Sequence, residues 1–197
     1  MASDTVRGVL EYVWKTLEPL RLPMALMGGL SLAAWGHIRG TRDVDLLIAI
    51  DRSAIDAVIA ALAAQGCRPK KSPPLLTIGD HCFVQFLYSP PESFFDVQFD
   101  LLLAESELQQ SAIRRRVNRQ IPGITQDIQV LSCEDLILFK LLAGRVIDRA
   151  DAAMLLRENR DEIDLPYLVH WVKRQRLELE YAEIWGEAFP DEAAPLL

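Results

Sequence analysis

The sequence has few of the residues that hold disulfide-rich or zinc-bound scaffolds together: among 197 residues there are three cysteines and three histidines. The cysteines are odd in number and scattered, without Cys-x-x-Cys spacing, so they predict neither a disulfide framework nor a zinc site and are typical of a reducing compartment. The histidines stand alone, with none four residues from another, at His37, His81 and His170. We therefore expect no histidine metal site and no catalytic histidine.

Long apolar runs and an excess of positive charge are also missing. No stretch approaches the roughly 18 uninterrupted apolar residues of a membrane-spanning helix, and no apolar run follows a basic start in the manner of a secretion signal. These absences predict a soluble, cytoplasmic protein with no membrane partner. Because 21 Lys and Arg face 28 Asp and Glu, for a net charge of −7, a general nucleic-acid coat protein is excluded, and a polyanionic partner would need a local basic patch.

The sequence does contain enough apolar material for a core, since 50% of its residues are hydrophobic and 8% aromatic. Apolar periodicity and turn residues predict strands over 24–27, 44–50, 75–78, 82–88, 94–103 and 128–131. They predict helices over 4–17, 30–35, 53–65, 105–120, 132–144, 148–159, 164–175 and 177–186. We thus predict one α/β (α+β) domain: a mixed β-sheet flanked by helices over 1–131, an all-helical part over 132–187 and a loose tail over 188–197.

Two carboxylates open the second predicted strand. Asp43 and Asp45 flank Val44, and because strand side chains alternate, both carboxylates point to the same side of the strand. Like charges held this close are unfavourable unless a cation neutralises them, and Mg²⁺ or Mn²⁺ prefers such oxygen ligands. An exposed strand edge without metal remains an alternative for an isolated Asp-x-Asp.

A glycine pair precedes these acids. Gly28 and Gly29 lie between a short apolar strand and a predicted helix, a turn that lets backbone N–H groups approach a phosphate. The intervening stretch is long enough for one helix and a turn, so the Asp43 strand can return beside the first strand.

A third acid is expected on a later strand. The run from Phe95 to Leu101 alternates, which puts Asp96 and Asp100 on one face with Gln98. Only one of the two aspartates can reach the first acidic pair. We favour Asp100, since apolar residues follow it directly; Asp96 would then be solvated or paired with a base.

Taken together, Gly28-Gly29, a helix, Arg39-x-Thr41-x-Asp43-x-Asp45 and a later strand acid resemble the polymerase-beta-type nucleotidyltransferase superfamily. The segment from Leu131 to Asp151 is similar to that of AbiEii-like toxin nucleotidyltransferases and their minimal relatives. The resemblance covers about residues 24–156. It departs from the superfamily pattern in one place, where Gly-Gly-Leu-Ser stands instead of Gly-Ser, so that Ser31 is the candidate for the phosphate-contacting serine.

The resemblance implies a mixed-sheet fold and an enzyme that transfers a nucleoside monophosphate from an NTP to an acceptor hydroxyl with release of pyrophosphate. Mg²⁺ or Mn²⁺ would bind Asp43, Asp45 and Asp100, and Asp100 would also help to activate the hydroxyl. Lys140 would contact the triphosphate and joins these acids as a catalytic residue. The nucleotide-binding residues implied by the resemblance are Gly28, Gly29, Ser31, Arg39, Thr41, Arg145, Asp148 and Asp151.

Several alternatives stay open at this point. The acceptor could be an RNA 3′ end, a protein hydroxyl or a small antibiotic; a cognate antitoxin is implied as a partner, and no oligomeric state is predicted. Four arginines on the 105–120 helix are the best local patch for RNA.

The residues also permit other readings of the site and of the protein. Asp148, Asp151 and Arg145 could equally form an internal ion-pair cluster that does not contact the nucleotide. Lys140 could be a surface lysine whose aliphatic chain packs against apolar neighbours. Two other functions are considered: an inactive, nucleotide-binding regulator or antitoxin-like protein, and a DxD glycosyltransferase, which the short chain and the preceding Gly-Gly turn disfavour.

Overall fold

The chain, described here by a computed structural model over residues 4–79, 81–91 and 93–195, divides into two compact units. Unit 1 comprises the chain up to Ala33 together with Ile38–Leu131, and unit 2 comprises Ala34–His37 together with the chain from Ser132. The main boundary therefore falls where the sequence predicts the change from sheet to helices. Nothing in the sequence pattern predicts that residues 34–37 belong to unit 2.

Unit 1 contains eight described strands and four described helices. The strands are β1 (Met24–Met27), β2 (Asp43–Ile48), β3 (Arg68–Pro69), β4 (Leu75–Ile78), β5 (His81–Tyr88), β6 (Val97–Leu103), β7 (Val117–Asn118) and β8 (Gln129–Val130). The helices are α1 (Asp4–Leu17), α2 (Gly28–Ser31), α3 (Ile55–Ala64) and α4 (Glu107–Arg115). A 3₁₀ turn, Leu32–Trp35, continues α2. These elements confirm the predicted fold class for this part of the chain.

The strands form one mixed sheet in the order β3-β5-β6-β2-β1-β8-β7, with β4 also paired to β5. The neighbours β2 and β6 run parallel, whereas β1 is antiparallel to β2 and β5 is antiparallel to β6. Alternation gives β6 one fully buried face, with Val97, Phe99 and Leu101, and one partly exposed face, with Gln98 and Asp100. The partly exposed face of the central strands is the one that carries the acids.

Unit 2 contains the helices α5 (Cys133–Ala143), α6 (Val146–Glu158), α7 (Leu165–Gln175) and α8 (Glu178–Ala188). Ser132 is the N-cap of α5, since its side chain accepts a hydrogen bond from the backbone N–H of Asp135, as the sequence predicts. Gly144 ends α5 with a positive φ of 66°, the left-handed conformation that favours glycine at this position. The all-helical prediction is confirmed.

The helix predicted over 105–120 is too long. Helix α4 ends at Arg115, Arg116 takes an extended conformation (φ −54°, ψ 145°), and Val117 and Asn118 form β7 instead. The Arg116 guanidinium donates to Ile113 O and to the side chain of Gln129. Of the four arginines, Arg114 and Arg115 therefore lie on α4, whereas Arg116 and Arg119 follow its end. The basic patch for RNA stays a prediction.

The segment predicted as a loose tail makes side-chain contacts at Phe189 and Glu192. The Phe189 ring packs 4.8 Å from that of Trp185, and Arg160 pairs with Glu192. Residues 196 and 197 of the predicted tail lie outside the described range. Within the described range no helix is long and apolar enough to cross a bilayer.

Candidate active site

The predicted acidic pair lies at the start of the central strand β2. Asp43 and Asp45 are partly exposed while Val44, between them, is fully buried. Both carboxylates therefore project from the same, partly exposed face of the sheet. The antiparallel register aligns Asp45 with Met27, the last residue of β1, so that the Gly-Gly turn begins beside this acid.

The Gly28 backbone lies directly against the Asp45 carboxylate. A Cβ atom added to Gly28 would lie 1.9 Å from Asp45 Oδ2, and the residue has a φ of 69°. A Cβ on Gly29 would lie 2.9 Å from Thr41 Oγ1 and 3.1 Å from Arg39 Nη2. Space and backbone conformation therefore both require glycine at position 28, and the predicted turn packs against the predicted acids.

Thr41 and Arg39 complete the border of the Gly-Gly turn. Thr41 Oγ1 donates a 2.8 Å hydrogen bond to Asp43 Oδ1, which orients that carboxylate. Arg39 Nη1 donates to the carbonyl of Gly40, 2.9 Å away, within the same loop. Six predicted site residues are thus brought together in unit 1: Gly28, Gly29, Arg39, Thr41, Asp43 and Asp45.

Asp100 lies beside Asp45 on the neighbouring strand. The parallel register of β2 and β6 pairs Asp45 with Asp100 and Asp43 with Gln98, which places all three acids on one face. Burial raises the pKa of Asp100, and the nearby charge of Asp43 adds to this effect, whereas hydrogen bonds from Gln85 and Gln98 oppose it.

Asp96, the other candidate for the third acid, lies outside this group. Its carboxylate accepts hydrogen bonds from Ser89 Oγ and from the Arg68 guanidinium. The bond from Ser89, joined by the Arg68 pair, holds the pKa of Asp96 below its ordinary value. The carboxylate is therefore paired with a base, which is the arrangement expected for Asp96 if Asp100 is the third acid.

Ser31 is fully buried, and its hydroxyl donates to the carbonyl of Gly28, 2.9 Å away. The structure thus places this hydroxyl inside the helical turn, where it satisfies the backbone. It does not bring the hydroxyl to the surface that carries the acids.

The remaining predicted residues form a separate charged cluster within unit 2. Lys140 Nζ lies 2.8 Å from Asp148 Oδ1 and 2.8 Å from Asp151 Oδ2, and the Lys140 side chain is only 6% exposed. The alternative of a surface lysine at this position is therefore wrong. His37 Nε2 adds a 3.2 Å contact to Asp151 Oδ1.

Arg145 is the exposed member of this cluster. Its guanidinium contacts both oxygens of the fully buried Asp148, while 71% of the Arg145 side chain remains exposed. Burial alone would favour the neutral acid, but the bonds and charges of Arg145 and Lys140 hold the pKa of Asp148 below its ordinary value.

Sequence reasoning missed the neutral partners of the acids. Gln85 lies directly opposite Asp100 in the β5–β6 register, and no local pattern of the sequence reveals that pairing. The sequence presents His37 as an isolated histidine, but the fold brings it to Asp151, which lies far along the chain. The alternation of β5 could have placed Gln85 on a face of its strand, but the partner strand could not be read locally.

The carboxylate oxygens of Asp43, Asp45 and Asp100 suit a hard divalent cation, which prefers oxygen ligands. They lie next to the Gly28 backbone, where a Cβ atom would clash with Asp45. Within residues 4–79, 81–91 and 93–195, no three His, Cys, Asp or Glu side chains are already gathered as a metal-ligand cluster. Mg²⁺ in phosphoryl-transfer sites commonly binds one or two carboxylates and completes its shell with water and substrate phosphates. Asp43 and Asp45 could hold such an ion, with Asp100 beside them.

The solved structures to which this chain is similar include a nucleotidyltransferase-like protein and an antibiotic-resistance factor. An antigenic nucleotidyltransferase-like protein from Paracoccidioides brasiliensis is 19% identical, with a TM-score of 0.54, over 97% of this chain and 99% of that one. The antibiotic-resistance factor ANT(2'')-Ia is 15% identical, with a TM-score of 0.54, over 93% and 92% of the two chains.

A putative nucleotidyltransferase from Thermotoga maritima is 16% identical, with a TM-score of 0.54, over 83% of this chain and 97% of that one. At these identities the likeness shows the fold alone, and it confirms the nucleotidyltransferase-like fold. No functionally curated protein matches the sequence.

The family model described as "Nucleotidyl transferase AbiEii toxin, Type IV TA system" matches residues 13–194. This match spans both units and nearly the whole chain, and it includes the Gly-Gly turn, the three acids of unit 1 and the charged cluster of unit 2. The chain therefore belongs to the AbiEii nucleotidyltransferase toxin family of type IV toxin–antitoxin systems.

Proposed function

We propose that the protein transfers a nucleoside monophosphate from an NTP to the hydroxyl of an acceptor, with Asp43, Asp45 and Asp100 at the reacting centre. The observation that carries this proposal is the register of β2 and β6, which aligns Asp45 with Asp100 and puts the three acids on one partly exposed face of neighbouring strands. Family membership supports the reaction class.

The residues of the turn would bind the nucleotide. The lack of side chains at Gly28 and Gly29 lets the turn lie directly against Asp45, Thr41 and Arg39, so that its backbone N–H groups would meet a phosphate close to the acids, and the Arg39 guanidinium supplies positive charge there. Thr41 holds the Asp43 carboxylate through its 2.8 Å hydrogen bond. Bound Mg²⁺ would stabilise the charge that develops on the transferred phosphoryl group.

Asp100 would accept the proton of the acceptor hydroxyl. Its carboxylate is partly desolvated by burial, which raises its pKa and makes it a stronger base than an exposed aspartate. The hydroxyl oxygen then attacks the α-phosphorus, and the bond to the leaving pyrophosphate breaks.

The roles toward the nucleotide predicted for Lys140, Arg145, Asp148 and Asp151 stay predictions. Their contacts within unit 2 support a structural contribution, because the buried carboxylates of Asp148 and Asp151 need the Lys140 ammonium. The exposed guanidinium of Arg145 has the chemistry to bind a phosphate.

Membership of a toxin family supports a biological proposal: expression of the protein arrests growth, and a cognate antitoxin relieves the arrest. An arrest that depends on transferase chemistry must disappear in Asp45→Asn. An arrest that persists in this variant would separate toxicity from the proposed reaction.

The direct test incubates the purified protein with each α-³²P-labelled NTP, Mg²⁺ and one of three acceptor pools: total RNA, soluble proteins, or aminoglycoside and lincosamide antibiotics. We expect label in one pool, with release of pyrophosphate. The labelled pool identifies the acceptor class. NTP binding without product in every pool would instead support an inactive, nucleotide-binding protein.

Asp96→Asn provides a matched control for Asp45→Asn, because both replace an aspartate near the same strands, yet Asp96 is paired with Arg68. Transfer must be lost in Asp45→Asn and retained in Asp96→Asn. Equal losses in the two variants would contradict the assignment of the acids.

A further inference from the structure

We propose that Lys70, Gln85 and Gln98 are positioning residues that hold the Asp100 carboxylate in place for metal and acceptor. This inference rests on the proposed function, because it concerns the same acidic centre. It extends the site across two further strands, to residues that neither the sequence pattern nor the family match assigns.

Both oxygens of Asp100 are held by amide groups. Gln85 Nε2 donates to Asp100 Oδ2 at 3.0 Å, and Gln98 Nε2 donates to Asp100 Oδ1 at 2.9 Å. Gln85 reaches from β5, directly opposite in the register, and Gln98 lies two residues earlier on β6. The carboxylate is therefore fixed from two directions.

Lys70 fixes the direction of one of these amides. Its ammonium donates to Gln98 Oε1 at 2.6 Å, and its backbone N–H donates to Gln85 O at 2.8 Å. An ammonium group can only donate, so it requires the oxygen of the Gln98 amide to face the lysine. The Gln98 nitrogen must then face Asp100.

This arrangement answers a physical problem of the site. Asp43, Asp45 and Asp100 would repel one another in the absence of a cation, which favours side-chain positions that point apart. Two neutral donors hold Asp100 without cancelling its charge. Each carboxylate oxygen has two lone pairs and uses one for an amide, so that one on each oxygen remains for a metal ion or a hydroxyl proton.

The test measures the affinity of the purified full chain for Mn²⁺ by electron paramagnetic resonance, without nucleotide. Gln98→Leu removes the amide at nearly constant volume, and we expect about 10-fold weaker binding, the usual cost of losing a group that orients a ligand. Gln85→Leu should weaken binding by a similar factor.

Lys70→Glu gives the sharper test, because two explanations predict opposite signs. A new carboxylate at position 70 would accept from Gln98 Nε2 and turn the Gln98 oxygen onto Asp100, so we expect Mn²⁺ binding to weaken about 3- to 10-fold. Simple electrostatics predicts tighter binding, since the variant adds negative charge near a cation site.

Lys71→Glu is the matched control, because it makes the same charge change at the next exposed residue. It should leave Mn²⁺ affinity unchanged or slightly tighter. Lys70→Arg keeps a cationic donor and should bind within about twofold of wild type. Circular dichroism verifies that the variants fold.

The outcomes separate this inference from the proposed function. Wild-type protein that binds no Mn²⁺, or an Asp45→Asn variant that binds as well as wild type, would overturn the proposed metal site and the inference with it. If binding depends on Asp45, but Gln98→Leu binds like wild type or Lys70→Glu binds at least as tightly, the positioning role alone is overturned.

Discussion

Carboxylates gather at two places in this protein, and their surroundings differ. In unit 1, Asp43 accepts from the Thr41 hydroxyl and Asp100 from two glutamine amides, all of them neutral donors. In unit 2, Asp148 and Asp151 contact the Lys140 ammonium at 2.8 Å, and Asp148 also contacts Arg145. Two of the acids of unit 1 thus accept hydrogen bonds from neutral donors. In unit 2, cationic side chains neutralise the negative charge of the acids.

The difference indicates what each cluster is for. Neutral donors orient a carboxylate but leave its charge available, which a site needs if it is to attract a divalent cation. Lysine and arginine cancel the charge of a buried carboxylate, as a packed interior requires. On the proposed function, the same residue type would support binding in unit 1 and folding in unit 2, so substitutions in the two clusters should affect different properties.

The largest expected effect is on activity in unit 1. Asp45→Asn should lower the rate of nucleotide transfer about 10³-fold, because it removes a metal ligand that contributes several kcal/mol to the transition state. The thermal unfolding midpoint should change little, since the carboxamide has the same size. Activity of Asp45→Asn within tenfold of wild type would contradict a catalytic role for the acids of unit 1.

The largest effect on stability is expected in unit 2. Lys140→Met removes the ammonium that contacts both buried carboxylates, leaving Arg145 on Asp148 and His37 on Asp151, and should cost about 3–5 kcal/mol of unfolding free energy, or roughly 10 °C in the unfolding midpoint. Lys173→Met, at an exposed position of α7, is the control and should be nearly neutral.

A triple variant, Lys140→Met with Asp148→Asn and Asp151→Asn, should regain part of the lost stability, because it removes the two carboxylate charges that the ammonium no longer contacts. If Lys140→Met is as stable as wild type but inactive, the lysine belongs to the chemistry and the contrast fails.

A mutation at the glycine turn connects stability with the site. Gly28→Ala should destabilise unit 1 by about 1–3 kcal/mol, because alanine is strained at a φ of 69° and its Cβ would lie 1.9 Å from Asp45 Oδ2. It should also weaken Mn²⁺ binding, since Asp45 must move. Gly66→Ala shares the positive φ but has open space around its Cβ, so it should destabilise without affecting Mn²⁺ binding.

The smallest effect is a gain in stability at Asp100. Its raised pKa means that the folded protein disfavours the ionised form. Stability is therefore complete below the unfolded-state pKa of about 3.9 and falls as pH rises through the higher folded pKa. Asp100→Asn should raise the unfolding midpoint of the metal-free protein at pH 7 by about 2 °C.

This gain should shrink towards zero as the pH falls to about 3.5, where wild-type Asp100 is itself protonated. Asp148 has the opposite sign: because its pKa is lowered, its contribution to stability is present above the unfolded-state pKa and is lost as pH falls through the folded value. Melting curves from pH 3.5 to 7.5 measure both effects. If the unfolding midpoints of Asp100→Asn and Asp148→Asn change with pH in the same direction relative to wild type, the electrostatic contrast between the two clusters is wrong.

Most of the architecture follows from local sequence patterns. Apolar periodicity predicts α1 with its observed bounds and the helices of unit 2, and alternation predicts the acid-bearing face of β6. The end of α4 is missed because Arg116 and Val117 are compatible with helix, and pairing of β7 with β8 decides against it. That pairing joins β7 to a strand that begins at Gln129, outside the stretch whose pattern predicts a helix.

The candidate site is predictable to the same extent. Asp43, Asp45 and the glycines form a compact motif, whereas Gln85 and Lys70 approach Asp100 only through the order of the strands. Ser31 shows the converse: its place in the motif suggests a phosphate contact, but the helical turn directs its hydroxyl to Gly28 O. Tertiary geometry, which no local pattern contains, decides these cases.

The central claim is that Asp43, Asp45 and Asp100 of unit 1, and not the cluster of unit 2 that contains Lys140 and Arg145, bind the divalent cation. Fe²⁺ bound in place of Mg²⁺ reduces added hydrogen peroxide to hydroxyl radicals, with ascorbate restoring Fe²⁺, and these radicals cleave the backbone next to the metal; mass spectrometry locates the cuts. We predict cuts near residues 28, 43–45 and 98–100 that excess Mg²⁺ suppresses and that Asp45→Asn abolishes. Mg²⁺-sensitive cuts confined to residues 145–151 would contradict the account.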